Sequence, residues 1–273
     1  MVTAGLGALL GGSTAGEALR ALFTPDDIVG IKVNCLAGPP LSSHPEVAYA
    51  LARELVGMGL RSSSVIIYDR DTSELARAGY DIVTRGADVR CFGSNEVGYD
   101  RAPTVERSVG TCFSRIVSET TTALINIPVV KDHDVAGLSG ALKNHYGSIH
   151  NPNKLHTDHC APYIADLNCA AVLRGRQRLV VADGLFVCYD GGPGFKPDTS
   201  LTEGVLLFAT DPVAVDAVSW KIIEDLRREA GLPPLADEER APVYIAQAAD
   251  PGRGLGSDDM ARIEVVDLDL SGA

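Results

Sequence analysis

The sequence lacks most of what marks a familiar cofactor. Its six cysteines, at positions 35, 91, 112, 160, 169 and 188, form no CxxC pair, so neither a zinc ribbon nor a ferredoxin-type cluster loop is encoded. No GxGxxG follows the first strand-like run and there is no Walker A loop, so no nucleotide cofactor is expected. No run approaches the ~18 apolar residues of a membrane span. Positive charge is also scarce: 24 Lys and Arg face 36 Asp and Glu, a net charge of −12. That balance argues against nucleic acid and anionic lipid as partners. A small anionic ligand would need a locally basic pocket. The opening MVTAGLGALLGGSTAG has a short apolar run without the positive flank or length of a signal peptide. The chain reads as soluble and cytoplasmic, or exported if a leader has been removed. The even cysteine count permits disulfides, but scattered cysteines in a chain this long are more often reduced and buried.

What is present describes an α/β protein. At 273 residues and 45% hydrophobic content, one large domain over 1–273 is the natural expectation. Apolar strand-like runs alternate with helical patterns: 28–36, 64–69, 87–92, 123–130, 178–183, 204–210 and a closing run at 263–268. Pro45 opens a helix that reaches Met58, and Asp211-Pro212 opens another that reaches Ala230, with Val215, Val218, Ile222 and Leu226 as its stripe. Continuously apolar strands are buried on both faces, so a mostly parallel central sheet covered by helices on both faces is predicted.

One stretch departs from this pattern. Five of the six histidines fall within Lys131–Cys160: His133, His145, His150, His156 and His159. The stretch follows a buried strand, and ligands in open α/β sheets bind at the carboxyl ends of strands. His156-x-x-His159-Cys160 offers imidazoles and a thiol, donors that a divalent metal accepts, although the spacing matches no standard site and the same residues serve equally as loop donors. Lys131 and Lys143 flank the stretch, and Gly137 and Gly140 lead into Lys143-Asn144. A small-residue turn before a helix can present N–H groups to an anion while a lysine adds charge. Lys32 and Asn34 end the first strand and are placed on the same sheet edge. Asp69 and Asp183 each end a strand-like run, where a carboxylate binds metal, acts as a base or caps a turn. The glycine-rich loop at 189–194 reads as a rim over that edge.

These residues together resemble the DUF362 family. The resemblance rests on Gly30-Ile31-Lys32-Val33-Asn34, Ile125-Asn126-Ile127-Pro128, Lys131-Asp132-His133, Gly137, Lys143-Asn144, Asp183, the loop at 191–193 and Asp211-Pro212-Val213-Ala214-Val215-Asp216. It spans about 26–228. The family has no settled activity; it includes members with ferredoxin-like clusters, which this sequence lacks, and is similar in fold to nickel-dependent lactate racemase. The resemblance carries over Lys131, His133, Lys143 and Asn144, with His156 and Cys160 as features of a subgroup.

The expectation is therefore a metal-dependent enzyme acting on a small anionic or oxygenated organic molecule. His133, His156 and Cys160 are expected to hold iron, zinc or nickel. Lys131, Lys143 and Asp183 take the catalytic roles, and Lys32, Asn34, Asn144 and Asp69 contact the substrate. The alternative is a non-catalytic binding protein for an anionic cofactor or metabolite, held by Lys32, Lys131 and Lys143.

Overall fold

The computed structural model describes residues 1–270. Its strands in chain order are β1 (Val29–Lys32), β2 (Val65–Tyr68), β3 (Arg90–Cys91), β4 (Thr104–Glu106), β5 (Val109–Thr111), β6 (Ala123–Asn126), β7 (Val129–His133), β8 (Gly137–Leu138), β9 (Gln177–Cys188) and β10 (Ser200–Ala209). Its α-helices are α1 (Val2–Leu10), α2 (Ala15–Leu19), α3 (Pro45–Gly57), α4 (Thr72–Arg77), α5 (Ala141–Asn144), α6 (Tyr163–Asn168), α7 (Ala171–Arg174), α8 (Pro212–Glu229) and α9 (Tyr244–Ala249). β4 and β5 form a separate hairpin; the other eight strands build one sheet.

The sheet is parallel from β3 through β2, β1 and β6 to β9, and β7 is also parallel to β9. The β9–β10 and β7–β8 pairs are antiparallel. The run at 123–130, expected as one strand, is broken at Pro128, which has no N–H to give to a ladder. Its halves pair with β9 in succession, Asn126 opposite Val180 and Val129 opposite Asp183. The break lets β7 carry Lys131 and His133 past the end of β1.

Helices cover both faces, and the side-chain alternation of the strands separates two cores. Ile31, Val65, Ile67 and Val181 pack with α1, α2 and α3. Ile66, Leu124, Val180 and Ala182 pack with α5, α6 and α8. All six cysteines are free thiols. Among the described residues, no helix is long and apolar enough to cross a membrane.

Three expectations fail in detail. The segment 263–268 forms no strand, and Val265 and Val266 are 59% and 62% exposed. Glu264 and Asp267 interrupt that run with charge, and Ile263 is its residue packed against the core. The strand expected to stop at Asp183 runs on to Cys188, because its hairpin partner β10 continues the ladder past Gly184. On α8 the buried residues are Val213, Val215, Asp216, Ala217, Ser219, Ile223, Leu226 and Arg227, so Val215 and Leu226 of the expected stripe are buried whereas Val218 and Ile222 are only half-buried. Two charged residues, Asp216 and Arg227, lie on that buried face, so an apolar stripe finds only half of it.

Asp211 does cap α8: its Oδ1 accepts from Val213 N at 2.8 Å and Ala214 N at 3.0 Å, and its Oδ2 accepts from Ser257 N at 2.9 Å. Asp211→Ala is expected to cost ~1–2 kcal/mol in urea unfolding and Asp211→Asn less, since Asn caps nearly as well. Equal losses for the two variants would move the stabilisation from the cap to the Ser257 contact.

Candidate functional site

Parallel pairing brings the site together. Lys32 is in register with Tyr68 on one side and Asn126 on the other, so the carboxyl ends of β1, β2 and β6 lie level. Asp69 follows β2 directly. β7 extends beyond that level, and the β7–β8 hairpin turns back through Gly137, whose φ of +76° favours glycine. Gly140 then starts α5, which delivers Lys143 and Asn144. The resulting cavity of about 310 Å³ is lined by Lys32, Asn34, Lys131, His133, Lys143 and Asn144 among others, with Pro193 from the glycine-rich loop on its wall.

The floor of this cavity is a hydrogen-bond network. Lys32 Nζ donates to Asp69 Oδ1 at 2.7 Å, to Asn144 Oδ1 at 3.1 Å and to the Val33 carbonyl. Asp69 also accepts from Cys35 N at 2.7 Å and Arg70 N at 2.8 Å. Asn144 accepts from Asn34 Nδ2 at 3.2 Å and donates to Asn126 Oδ1 at 2.7 Å. Asn34 Oδ1 in turn accepts from Lys131 Nζ at 3.0 Å. The three protons of Lys32 thus have three acceptors, and its amine serves the floor more than a ligand.

Lys131 and Lys143 differ from Lys32. Among the described residues no carboxylate pairs with either. Lys131 donates to Asn34 and, at 3.5 Å, to the Leu41 carbonyl. Lys143 lies 3.4 Å from His156 Nε2 and 4.7 Å from the centre of the Tyr146 ring. Burial holds both amines down at about 8. The charge of Lys143 lowers Lys131 further, against the opposing pull of Asp69. Lys32 pairs with Asp69 and Arg70 with Glu74, so of the wall's charges Lys131 and Lys143 have no ion pair among the described residues, while the exposed Asp134 lies 3.1 Å from His133 Nδ1 and its charge reaches Lys143.

The histidine-rich stretch divides. His150 and His159 are exposed, and His145 is buried against Gln177 at 2.7 Å, with burial holding it at about 4. His133 and His156 face the cavity, stacked with centroids 5.7 Å apart. His133 Nδ1 accepts from the N–H groups of Val135 and Ala136 at 3.1 and 3.2 Å, so its proton is on Nε2. Burial keeps that ring neutral, with a pKa of about 2. His156 is the opposite tautomer: Nδ1 donates to the Pro152 carbonyl at 3.0 Å, leaving the Nε2 lone pair toward Lys143.

This arrangement does not suit the expected metal triad. His133 offers a proton, not a lone pair, and the Cys160 thiol is fully buried outside the cavity wall with its pKa raised by burial. Among the described residues, no three His, Cys, Asp or Glu side chains are grouped to hold a metal ion. Asp183 is also outside the cavity. It lies in the middle of β9, where its carboxylate accepts from His44 N at 2.7 Å and meets His44 Nδ1 at 3.0 Å, raising the histidine's pKa. It therefore partners no lysine, unlike Asp69.

Four contributors escaped the sequence reading. Asn126 braces Asn144, and a polar residue inside an apolar strand was its signal. Tyr146 supplies a ring face to Lys143. A Cβ at Gly147 would lie 2.8 Å from both Asp69 Oδ1 and Lys32 Nζ, so glycine is needed for the chain to pass. Asp216, from α8, accepts from Ala141 N and, at 3.1 Å, from Leu142 N, and so fixes the helix that bears Lys143 and Asn144. Gly140 gives it room: a Cβ there would collide with the Asp216 carboxylate.

The fold and site define an α/β protein with a polar, lysine-bearing cavity at the carboxyl edge of its parallel strands. The chain belongs to the DUF362 family, described as a domain of unknown function, which matches residues 29–221. No curated protein matches the chain. A crystal structure of a protein from Thermotoga maritima, a Northeast Structural Genomics Consortium target, is similar at 12% identity and a TM-score of 0.40. The match covers 80% of this chain and 57% of that one, so this chain spans little more than half of that protein's length.

Two measurements check the site's construction. Lys32→Met strands the buried Asp69 carboxylate and is expected to cost ~3–5 kcal/mol in urea unfolding; a loss under ~1 kcal/mol, as for an exposed pair, would remove the ion pair from that role. Burial raises the Asp216 carboxyl from 3.8 to about 7. A carboxyl raised on folding contributes most below its unfolded value and loses that contribution as pH rises through its folded value. The stability of the native chain relative to Asp216→Asn should therefore fall between pH 4 and about 7; a pH-independent difference would contradict it.

Proposed function

We propose that the cavity binds a small organic anion between Lys131 and Lys143 and that the Lys143–His156 pair moves a proton at that ligand. One observation carries this reading: two buried amines face one cavity and, among the described residues, neither has a carboxylate within ion-pair distance, Asp69 and Asp134 acting on them only from further off. A buried cation without a counter-ion favours a bound anion. The volume of about 310 Å³ is at the small end of ligand cavities and suits a short organic acid.

Each residue then has a distinct task. Asn34 orients Lys131, which holds the ligand's charge. Asn144 and the Lys32–Asp69 pair keep the floor rigid, so the lysines need not reorganise when the ligand enters. His156 Nε2 accepts a hydrogen bond from Lys143 and takes its proton only transiently, since burial and the lysine's own charge lower the imidazole's pKa; the amine, at about 8, exchanges protons readily near neutral pH. His133, neutral and with its proton on Nε2, donates a hydrogen bond without adding charge.

Native mass spectrometry with elemental analysis tests this. A co-purified organic anion is expected, lost in Lys131→Ala and in Lys143→Ala. Metal at one equivalent per chain, lost on His133→Ala with His156→Ala, would replace this reading with the metal-dependent one. Affinity for the anion should be greatest below pH 8 and decline above it, as the two amines lose their charge. Affinity constant from pH 6 to 10 would remove the lysines from the binding step.

A further inference from the structure

The three lysines of the cavity are not equivalent. Lys32 Nζ is surrounded by three oxygens, one of them the Asp69 carboxylate. Lys131 Nζ has two oxygens, from Asn34 and Leu41. Both environments hold an ammonium. Among the described residues Lys143 Nζ has no oxygen partner: its hydrogen-bond neighbour is a nitrogen lone pair, His156 Nε2. That lone pair is fixed toward the lysine because Nδ1 of the same ring is committed to the Pro152 carbonyl. Lys143 is thus a buried amine in an open cavity, beside a nitrogen lone pair and, among the described residues, without a carboxylate in ion-pair contact, Asp134 acting on it only from further off. This is the environment in which a lysine acts as a nucleophile toward a carbonyl.

We propose that Lys143 forms a Schiff base with a short 2-oxo acid whose carboxylate rests on Lys131. The inference deepens the anion reading and rests on it. The two amines share one cavity, and the charge of Lys143 is felt at Lys131. A ligand with its carboxylate next to its carbonyl matches that closeness. Lys143 passes one ammonium proton to His156 Nε2, and its lone pair attacks the carbonyl carbon: the C–N bond forms as the C=O π bond breaks. The oxygen takes one of the two protons left on nitrogen, which gives the neutral carbinolamine. His156 returns its proton to that oxygen, the C–O bond breaks, water leaves, and the nitrogen keeps its last proton as the iminium. No oxidant or reductant takes part. The iminium replaces the ammonium's positive charge in the same place, over the Tyr146 ring face at which Lys143 already lies.

Reductive trapping on the full chain tests the proposal, with pyruvate as the probe and propionate as the carboxylate that has no carbonyl. With borohydride and pyruvate, intact-mass analysis is expected to show one reduced adduct per chain, peptide mapping to put it on Lys143, and excess propionate to suppress it. Lys143→Arg keeps a charge but no nucleophilic amine; it should give no adduct and retain measurable propionate binding by calorimetry. Lys131→Ala should weaken propionate at least about tenfold, the equivalent of one modest ion pair. Propionate binding without an adduct, or an adduct spread over other lysines, overturns the Schiff base and leaves the anion site standing. No binding of either acid together with no adduct overturns both.

Discussion

The contact between Lys32 and Asp69 holds the end of the sheet together. Lys32 ends β1 and Asp69 follows β2, so their 2.7 Å bond ties two neighbouring strands at the point where the sheet stops. The remaining protons of Lys32 and the second oxygen of Asp69 reach α5 and the backbone after β1. Asn144 passes the connection to Asn126 at the end of β6, and Asn34 passes it to Lys131 on β7. Five elements are thereby fixed by polar contacts at the one place where the apolar cores cannot fix them. Burying such a pair is favourable only when its remaining donors and acceptors are satisfied, and here the asparagines and backbone amides satisfy them.

That floor also explains how an acidic protein maintains a basic cavity. The chain carries −12, yet among the described residues the carboxylates at the wall are either paired, Asp69 with Lys32 and Glu74 with Arg70, or exposed, as Asp134 is. The pairing is local and leaves Lys131 and Lys143 outside it. Desolvation makes their charge costly, which is why both amines are held at about 8, and a ligand that supplies the missing negative charge removes that cost. Elsewhere the acidic surplus is spent on structure: Asp132 accepts from Arg240 at 2.8 Å and from Gly192 N at 3.0 Å, anchoring the glycine-rich loop whose Pro193 forms part of the wall.

Much of this was legible from residue type and order. Apolar strands announced a parallel sheet, and parallel strands place their ends on one edge, so Lys32, Asn34, Lys131, His133, Lys143 and Asn144 could be assigned to one cleft before any coordinates. What was not legible depended on partners distant in sequence. Asp183 and Asp69 look alike in sequence, each closing an apolar run. Only the β10 ladder, which carries β9 on to Cys188, shows that Asp183 is mid-strand and bound to His44. The five histidines were equally misleading as a group, because a ring's role follows from which nitrogen its neighbours occupy. His133 and His156 are both at the wall, but opposite tautomers make one a donor and the other an acceptor.

The Asp211-Pro212-Val213-Ala214-Val215-Asp216 segment joins these levels. Its first aspartate satisfies the N–H groups of its own helix. Its second, five residues on, satisfies those of a different one. α5 is a single turn, too short to be stable by its own hydrogen bonds. A four-residue helix can hold a lysine and an asparagine in register with four strand ends only if its start is clamped from outside. Asp216 is that clamp, buried in the interface between α8 and α5, and Gly140 is the residue that allows the carboxylate to reach the amides. A carboxylate placed there is poorly solvated, and burial raises its pKa to about 7. Its worth lies in the position it gives to Lys143 and Asn144, so a residue remote from the cavity and invisible to an apolar-stripe reading governs the geometry of the amine nearest to His156.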